Sequence, residues 1–420
     1  MITNVIFYGV STWVKNNYEE INQKYSPVAF VDGNLQKQGT KLFETPIISL
    51  EQALEKHPDA SYYISVQTPA FVEQIFNMLV EKGIPQDKIA YPDEIQISNS
   101  LKKCKSCRSI EHSIIWMANT LVEQEHDCLQ FCCGVEGYPS PDIAIKGDDI
   151  QTAILQLEKL RENILQDIDS SSCKSCPSLT EMYYPKKRTV TSLGIVQDDI
   201  CNFQCCYCER TSTNTTSDQK VDSAKRSIRF IEKLEEIGII SPDHTSILIS
   251  GASEISISKS RDIMLDAIKH YPVILPTNAT VFSDKIADLS KNPNSRIIVS
   301  MDSGTKQTFA KVKGVDAFEK VCGNLKSYFH ANASLVLKYI VLPGVNDNMK
   351  DVDGFLDICS EIEVRHIEIV RNFWGKEEFS ENTISVIRYM LTQLKERNIN
   401  VDCSELKLGA ILEPELEVVT

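Results

Sequence analysis

The sequence predicts an α/β protein in which a Rossmann-like parallel domain and a cysteine-rich bridging segment precede a partial (β/α)6 barrel. Three observations predict it. Short apolar runs alternate with amphipathic stretches over residues 1–97, seven cysteines crowd residues 98–187, and six strand–helix units follow within residues 188–420. Strands that alternate with helices favour parallel sheets. A full eight-unit barrel needs about 250 residues, more than the six units occupy.

The first domain, residues 1–97, is expected to be a doubly wound sheet. The runs VIFYGV, VAFVDGN, SYYISVQ and residues 89–91 are typical of strands, and helices are predicted around residues 15–23, at LEQALEKH and at FVEQIFNMLVEKGI. Asp32 ends the second strand, where a ribose-binding acid sits in nucleotide folds, but the glycines expected after Gly9 are missing. Asp32 can equally cap a turn, so nucleotide binding stays open. The first domain as a whole, residues 1–97, also resembles a domain that recurs in polysaccharide-biosynthesis enzymes, and residues 31–54 carry the resemblance.

Composition and charge narrow the function classes. The net charge of -14 argues against a nucleic-acid partner. No apolar run approaches the roughly 18 residues that span a bilayer, and the N-terminus lacks the features of a signal peptide, so a cytoplasmic protein is expected. In that compartment, clustered cysteines favour metal or redox chemistry over disulfides. Three isolated cysteines, at positions 322, 359 and 403, are expected to be core thiols.

The barrel segment supplies the candidate site. Its predicted strands are SLGIVQ, SILISG, VILPTNA, RIIVSMD, LVLKYIVL and HIEIVR. Its predicted helices are SAKRSIRFIEKLEEIG, RDIMLDAIKHY, DKIADLSK, AFEKVCGNLKSYFH and VDGFLDICSEI. Barrel active sites lie at the carboxyl ends of the strands. A loop with three cysteines follows the first of these strands.

That loop has the spacing C-x3-C-x2-C, with Cys201, Cys205 and Cys208. Cysteine thiolates hold iron–sulfur clusters, and a structural [4Fe-4S] centre normally uses four. Three ligands leave one iron open to an outside ligand. A zinc site would want four closed ligands. Cys206 would have to be the fourth, although adjacent cysteines rarely point at one ion.

The segment resembles the hallmark of the radical S-adenosylmethionine (SAM) superfamily. The resemblance, over residues 188–375, implies a [4Fe-4S] cluster whose open iron binds SAM. It also implies an external one-electron reductant such as flavodoxin or ferredoxin, and reductive cleavage of SAM to a 5′-deoxyadenosyl radical that abstracts hydrogen from a substrate. Tyr207 would lie beside the adenine, and Cys206 would not be a ligand.

The resemblance also implies contacts to SAM at the ends of the next four strands. These fall on Ser253, Glu254, Asn278, Ser300, Asp302 and Lys338. Glu254 would accept from the SAM ammonium and Lys338 would meet its carboxylate. The family usually has two glycines before the glutamate, and here Ala252 and Ser253 replace them. No catalytic acid or base is predicted.

Seven further cysteines precede the barrel and predict an auxiliary [4Fe-4S] cluster, with zinc as the alternative. The preferred ligands are Cys107, Cys132 or Cys133, Cys173 and Cys176, which would leave Cys104 and Cys128 spare. The two C-x2-C pairs, Cys104 with Cys107 and Cys173 with Cys176, form a second set. In most relatives that carry such a cluster, its ligands follow the barrel.

Three functions are compatible with these features. The first is a radical SAM enzyme, of oxidoreductase or isomerase type, acting on a sugar or nucleotide-linked molecule, which the first domain favours. The second is a peptide-modifying radical SAM maturase, because auxiliary clusters often accompany that work. The third is a non-catalytic iron–sulfur or zinc scaffold, or a redox sensor. The partners expected are a small-molecule or peptide substrate and the reductant, with no nucleic acid and no membrane span.

Overall fold

The computed structural model describes residues 2–11, 14–15, 17–33, 37–66, 69–91, 103–119, 125–132, 134, 139–147, 149–166, 172–183, 188–196, 198–208, 217–249, 253–372, 378–406 and 408. The chain forms two compact units. One contains residues 1–111 and 162–189, and the other residues 112–161 and 190–419. The cysteine-rich segment 98–187 is divided between them. The predicted boundaries at residues 97 and 187 stay predictions.

The first unit contains a six-stranded sheet of order β3-β4-β2-β1-β5-β6, parallel except for the β3–β4 pair. Its strands are β1 (Ile2–Tyr8), β2 (Tyr25–Val31), β3 (Lys41–Leu42), β4 (Thr45–Ile48), β5 (Ser61–Ile64) and β6 (Ile89–Ala90). Its helices are α1 (Tyr18–Lys24), α2 (Leu50–Lys56) and α3 (Pro69–Glu81). The predicted parallel α/β architecture is confirmed. The short β3 and β4 were not predicted, because they have only two and four residues and β4 contains Pro46.

The same unit holds a two-stranded antiparallel sheet of β7 (Lys103–Ser106) and β11 (Thr180–Tyr183). The helix α4 (Arg108–His112) follows β7, and a 3-10 turn spans Ser172–Ser175. Arg188 Nη1 donates to the Ile110 carbonyl at 2.9 Å, which ties the end of this segment to α4.

The second unit is built on a ten-stranded sheet of order β10-β9-β8-β12-β13-β14-β15-β16-β17-β18. Its strands are β8 (Ser113–Met117), β9 (Cys128–Gln130), β10 (Ile143–Ala144), β12 (Ser192–Val196), β13 (Ser246–Ile249), β14 (Val273–Thr277), β15 (Arg296–Ser300), β16 (Leu335–Val341), β17 (His366–Arg371) and β18 (Asn400–Asp402). The six predicted strands, β12 to β17, are neighbours in sequence order and parallel. The partial barrel is therefore confirmed. Between the described residues no strand pairing closes the sheet.

Four further strands of the described residues extend this sheet at its two ends. β8 pairs parallel with β12, and β18 pairs parallel with β17, while β9 and β10 add an antiparallel edge. β8 has the sequence SIIWM, in which Ile114 and Trp116 are fully buried. Buried and half-buried residues alternate along β8, as is typical of a half-buried strand. The strand was not predicted, because the prediction for this segment followed from its cysteine spacing.

The helices of the second unit are α5 (Ile150–Leu165), which continues into the first unit, α6 (Ser217–Glu236), α7 (Arg261–Ile268), α8 (Asp284–Leu289), α9 (Lys306–Lys313), α10 (Phe318–His330), α11 (Met349–Glu361) and α12 (Glu381–Glu396). Thr305, Asn348 and Ser380 cap α9, α11 and α12 by accepting a backbone N–H three residues on. Each such cap is worth about 1 kcal/mol. No helix in the described part of the chain is long and apolar enough to cross a membrane.

The two faces of the second sheet differ in burial. In β14 and β15 every second residue is fully buried, and those between are half-buried. Tyr339 of β16 packs its ring 5.0 Å from that of Phe355 in α11, so one face lies under helices. Ile340, the next residue, packs with Val312 and Tyr207, so the opposite face carries the cysteine loop.

Candidate functional site

The cysteine loop follows β12 and contains Cys201, Cys205 and Cys208 as free thiols, the first two half-buried and the last exposed. Backbone bonds attach it to the end of α9. The Gln204 N–H donates to the Lys313 carbonyl at 3.0 Å, and the Cys206 N–H donates to the Val312 carbonyl at 2.8 Å. Within the loop, the Cys208 N–H donates to the Cys205 carbonyl at 3.0 Å. The loop is therefore held in place by its main chain.

Gly314 makes this attachment sterically possible. It ends α9 in the left-handed conformation, with φ of +72°. A Cβ atom there would lie 2.6 Å from the backbone carbonyl oxygen of Gln204 and 2.9 Å from its Cβ atom. A side chain at this position would push the cysteine loop away from α9.

Asn278, predicted to contact SAM, lies against the loop at the end of β14. Its Nδ2 is 3.9 Å from the Cys201 Sγ and donates to Asn202 Oδ1 at 2.8 Å. The Phe203 N–H also points at the Cys201 Sγ, at 3.4 Å. Hydrogen bonds of this kind to a ligating sulfur help to set the electronic properties of a bound cluster.

Glu254, predicted to accept from the SAM ammonium, is 2% exposed and already has internal donors. It accepts from the Ser256 N–H at 3.0 Å, from Thr277 Oγ1 at 2.6 Å and from the Asn278 N–H. Its own N–H donates to the Ile200 carbonyl at 2.6 Å. The carboxylate thus joins the segment after β13 to the end of β14, and the backbone N–H joins this segment to the residue before Cys201. Ser253, just before it, is half-buried.

Asp302, also predicted to contact SAM, is fully buried and forms an ion pair with Lys313 of α9. Tyr207 donates to Asp302 Oδ2 at 2.7 Å and accepts from Lys313 Nζ at 2.8 Å. Burial, followed by the charge of Asp302, raises the pKa of Tyr207 far above its usual range. Lys313 was not identified from the sequence, because it lies 106 positions after Tyr207 and no motif links the two residues.

The thiol of Cys205 lies in the same environment. Burial raises its pKa, and the charge of Lys313 and the hydroxyl of Tyr207 oppose that shift. Metals and clusters bind the thiolate form, so loading Cys205 releases a proton. The nearby cation makes this release less costly.

Ser300, Lys338 and Glu368 form a row across three neighbouring strands. Ser300 pairs in register with Lys338, and Lys338 pairs with Glu368. All three residues are half-buried. Ser300 and Lys338 were predicted as site residues. Glu368 was not, because its strand shows only an alternation that does not distinguish it from other half-buried positions.

The cysteines predicted for the auxiliary site lie in both units. Cys107, Cys173 and Cys176 are half-buried in the first unit, and the Cys176 N–H donates to the Cys173 carbonyl at 3.0 Å, as a C-x2-C turn requires. Cys132 is half-buried just after β9 in the second unit. Cys128 is buried. Cys133 and the side chain of Cys104 lie outside the described residues, so the ligand set stays a prediction.

Asp32, the candidate ribose-binding acid, is held by its own domain. Its Oδ2 accepts from the Val10 N–H at 2.9 Å and from Lys37 Nζ at 2.8 Å. Gly9 has φ of +107°, and a Cβ atom there would lie 2.6 Å from the side chain of Val66. These contacts agree with the turn-capping alternative, and nucleotide binding by Asp32 stays a prediction.

Comparison with protein families finds a match over residues 198–356 to the family model for the radical SAM superfamily. A GTP 3′,8-cyclase of Clostridium perfringens (strain SM101 / Type A) is 24% identical over 231 residues, which are 53% of this chain and 68% of the relative. A probable GTP 3′,8-cyclase of Archaeoglobus fulgidus is 25% identical over 174 residues, 41% of this chain and 56% of the relative.

Solved structures show a more distant likeness. Streptococcus suis SuiB bound to precursor peptide SuiA is 13% identical, with a TM-score of 0.42 over 74% of this chain and 75% of that one. Native anSMEcpe with bound AdoMet is 17% identical, with a TM-score of 0.39 over 53% of this chain and 66% of that one. No functional conclusion follows from values this low.

The matched segment contains the whole cysteine loop and the strands β13 to β16 that lie beside it. Members of this family use a [4Fe-4S] cluster and SAM. Residues 198–356 of this chain therefore match the radical SAM superfamily, and the match includes every cysteine of the loop.

Proposed function

We propose that this protein is a radical SAM enzyme in which Cys201, Cys205 and Cys208 hold a [4Fe-4S] cluster with one iron open to SAM. The observation that carries the proposal is the three-cysteine loop at the carboxyl end of β12, inside the segment that matches the family. When bound and reduced, the cluster and SAM supply hydrogen-atom abstraction, while the protein supplies binding and orientation.

The donor set fits such a cluster better than a single metal ion. Three thiols on one loop offer the soft ligands that iron–sulfur centres use. Among the described side chains, no group of three or more His, Cys, Asp or Glu residues could hold one metal ion. The cysteines of a cubane cluster each bind a different iron, so their sulfurs need not converge on one point.

The side chains around the loop divide into two groups under this proposal. The half-buried Ser253, Asn278, Ser300 and Lys338 are proposed to contact SAM or substrate, with Tyr207 at the adenine side. Glu254 and Asp302 already accept from two or more internal donors, which favours a supporting role for each. A carboxylate has about four lone-pair sites, so Glu254 retains room for one more donor.

The substrate class that we favour is a nucleotide or a sugar-linked nucleotide. The similarity to GTP 3′,8-cyclases supports it. The row of Ser300, Lys338 and Glu368 also supports it, since it offers a hydroxyl, a cation and a carboxylate to one ligand. The alternative is a peptide substrate.

A substrate panel separates these two classes. GTP, UDP-linked sugars and cysteine-containing peptides are added separately to the reconstituted, reduced protein with SAM, and 5′-deoxyadenosine is measured. The proposal expects faster release with a nucleotide and a loss of that increase in Lys338→Met. Stimulation by a peptide alone would reverse the assignment.

The auxiliary [4Fe-4S] cluster is a further part of the proposal, with ligands from Cys107, Cys132 or Cys133, Cys173 and Cys176. Metal analysis of a variant with alanine at positions 201, 205 and 208 tests it. About four irons per chain should remain. Zinc in that variant would mean that the second site is a structural zinc site. A metal-free variant would mean that there is no second metal site.

The proposal also includes an electron donor and a cellular compartment. A one-electron donor such as flavodoxin or ferredoxin would reduce the cluster. A cytoplasmic location agrees with free thiols, among which Cys206 and Cys208 are exposed.

A further inference from the structure

Two buried charged residues, Lys313 and Asp302, form a triad with Tyr207 of the cysteine loop. Lys313 is 1% exposed and Asp302 is fully buried, and the two form an ion pair. The Tyr207 hydroxyl joins the pair, donating to Asp302 at 2.7 Å and accepting from Lys313 at 2.8 Å. Lys313 Nζ also lies 5.2 Å from the centroid of the Tyr207 ring.

The surrounding backbone fixes Asp302 in this arrangement. Its second oxygen, Oδ1, accepts from the Ile340 N–H at 2.7 Å, and its carbonyl accepts from Asn346 Nδ2 at 2.8 Å. Its φ of +55° lies in the left-handed region, which costs most side chains about 1–2 kcal/mol. The carboxylate cannot turn towards a ligand without breaking these bonds.

Stability alone is a weak reason for a buried ion pair. Removing two charges from water costs several kcal/mol each, and hydrophobic replacements are often neutral or stabilising. The location of this pair suggests another reason. Lys313 ends the helix whose last carbonyls accept from the Gln204 and Cys206 N–H groups on either side of Cys205.

Charges in this setting act strongly on the neighbouring sulfur, because the interior screens them less than water does. Lys313 Nζ donates to the hydroxyl of Tyr207, two residues after Cys205, and the Lys313 carbonyl accepts from the N–H of Gln204, the residue before it. Groups that stabilise negative charge on a ligating sulfur also stabilise the electron that a cluster gains on reduction. Net charge and hydrogen bonds to sulfur are known determinants of cluster potential.

We propose that the buried Lys313 ammonium, which Asp302 and the Tyr207 hydroxyl hold beside the loop, raises the reduction potential of the cluster held at Cys205. This rests on the proposed function, in which Cys205 is a cluster ligand. Asp302 is then a positioning residue whose ion pair holds the Lys313 ammonium beside the Tyr207 hydroxyl.

Potentiometric titration of the reconstituted full-length protein tests this inference. The midpoint potential is read from the electron paramagnetic resonance signal that changes when SAM is added. This choice excludes the signal of a second cluster, which does not bind SAM. The variants are Tyr207→Phe, Lys313→Met and Lys313→Arg. Lys311→Met is the matched control, because it removes the same charge from an exposed position of the same helix.

Tyr207→Phe and Lys313→Met should each lower the ratio of reduced to oxidised cluster about tenfold at a fixed potential, a fall of about 59 mV for a one-electron couple. Lys313→Arg and Lys311→Met should stay near wild type. If Tyr207→Phe and Lys313→Met bind the cluster and keep the wild-type midpoint potential, the inference is overturned. Folded triad variants that fail to bind iron would also overturn it, and would leave the triad as support for the loop alone.

Two precautions keep the result decisive. If Lys313→Met does not fold because Asp302 loses its partner, Asp302→Asn/Lys313→Met is compared with Asp302→Asn, since these two variants differ only in the lysine charge, and the double variant should have the lower potential. Failure of the wild-type protein to bind about four irons at this loop would count against the proposed function, which is a different outcome from an unchanged midpoint.

Discussion

The individual cysteines of the loop differ in the role assigned to them, although Cys206 and Cys208 are both exposed. Cys208 is proposed as a ligand and Cys206 is not. Accessible thiols react with alkylating reagents unless a metal or cluster holds them.

Alkylation of apo and loaded protein, mapped by mass spectrometry, checks this difference. Both thiols should react in the apo protein, and only Cys206 should still react after loading. The fully buried Cys359 should be unreactive in both native forms. Protection of Cys206, with Cys208 still reactive, would contradict the ligand assignment.

Glu254 provides a prediction about stability. In Glu254→Gln an amide N–H2 replaces one of the oxygens that face the Ser256, Thr277 and Asn278 donors. An unsatisfied buried group costs about 1–3 kcal/mol, so the free energy of unfolding should fall by that amount. Urea denaturation measures it, and Glu236→Gln on the surface is the control. Equal stability of the two variants would contradict the buried network.

Sequence and structure agree at the strand ends and differ in the details of side-chain contacts. Spacing located the cysteine loop, and the resemblance to the radical SAM superfamily assigned Asn278 and Glu254, at the following strand ends, to the same site. It did not show that Glu254 and Asp302 are enclosed by internal donors. Such contacts join residues far apart in the chain, as Tyr207 and Asp302 are, separated by 95 positions.

At the scale of elements, the packing of α11 on the loop after β15 depends on two glycines. A Cβ atom on Gly354 would lie 2.2 Å from the Gly304 oxygen, and one on Gly304 would lie 2.0 Å from the Asp351 oxygen. The Asp351 carboxylate accepts from Thr305 and Thr308 in the same contact. This contact holds the loop that carries Asp302.

Alanine at two helical glycines should therefore have opposite effects. Gly323→Ala in α10 meets no atom within 4 Å and should stabilise the protein by about 0.5–1 kcal/mol. Gly354→Ala in α11 should destabilise it by about 1–3 kcal/mol, because the helix and the loop must separate. Thermal unfolding checks both. A stabilising Gly354→Ala would contradict the close approach.

A second pair of glycines tests the attachment of the cysteine loop to α9. Gly238 and Gly314 have φ of +69° and +72°, but only the Cβ of a side chain at Gly314 would meet another segment. Gly238→Ala should cost about 1–2 kcal/mol for the left-handed backbone alone. Gly314→Ala should cost more and should lower the iron content after reconstitution. Equal iron content in the two variants would contradict the attachment.

The elements themselves were largely predictable where their apolar period is long. Five helices and six strands of the barrel segment follow from alternation in the sequence. Helix α12 was not named, although the spacing of Val386, Ile387, Met390 and Leu391 is helical. The eight-residue α9 was harder to recognise, because it has few apolar residues and depends on its caps at Thr305 and Gly314.

At the scale of the whole molecule, buried thiols make stability depend on pH at the alkaline end. Burial raises the pKa of Cys403 to about 11 from the ordinary value of 9.0. The folded state then holds this proton more tightly than the unfolded chain. The contribution to the free energy of unfolding is complete below about pH 9 and is lost as the pH rises through 11.

Urea unfolding at pH 8 and near pH 11 checks this dependence. The wild-type protein should lose about 1–3 kcal/mol more than Cys403→Ala over this interval, because the variant lacks the thiol that titrates. The difference between the proteins is compared, since tyrosines titrate in both. Identical losses would show that Cys403 is not protected from ionisation.

The proposed function depends on the cysteine loop acting on SAM. The most direct measurement is the 5′-deoxyadenosine that reduced, reconstituted protein forms from SAM, with and without the nucleotide panel, compared with the variant that has alanine at positions 201, 205 and 208. We expect wild-type protein to form this product and the variant to form none. Equal amounts from both, with a full cluster in the wild type, would contradict the central claim.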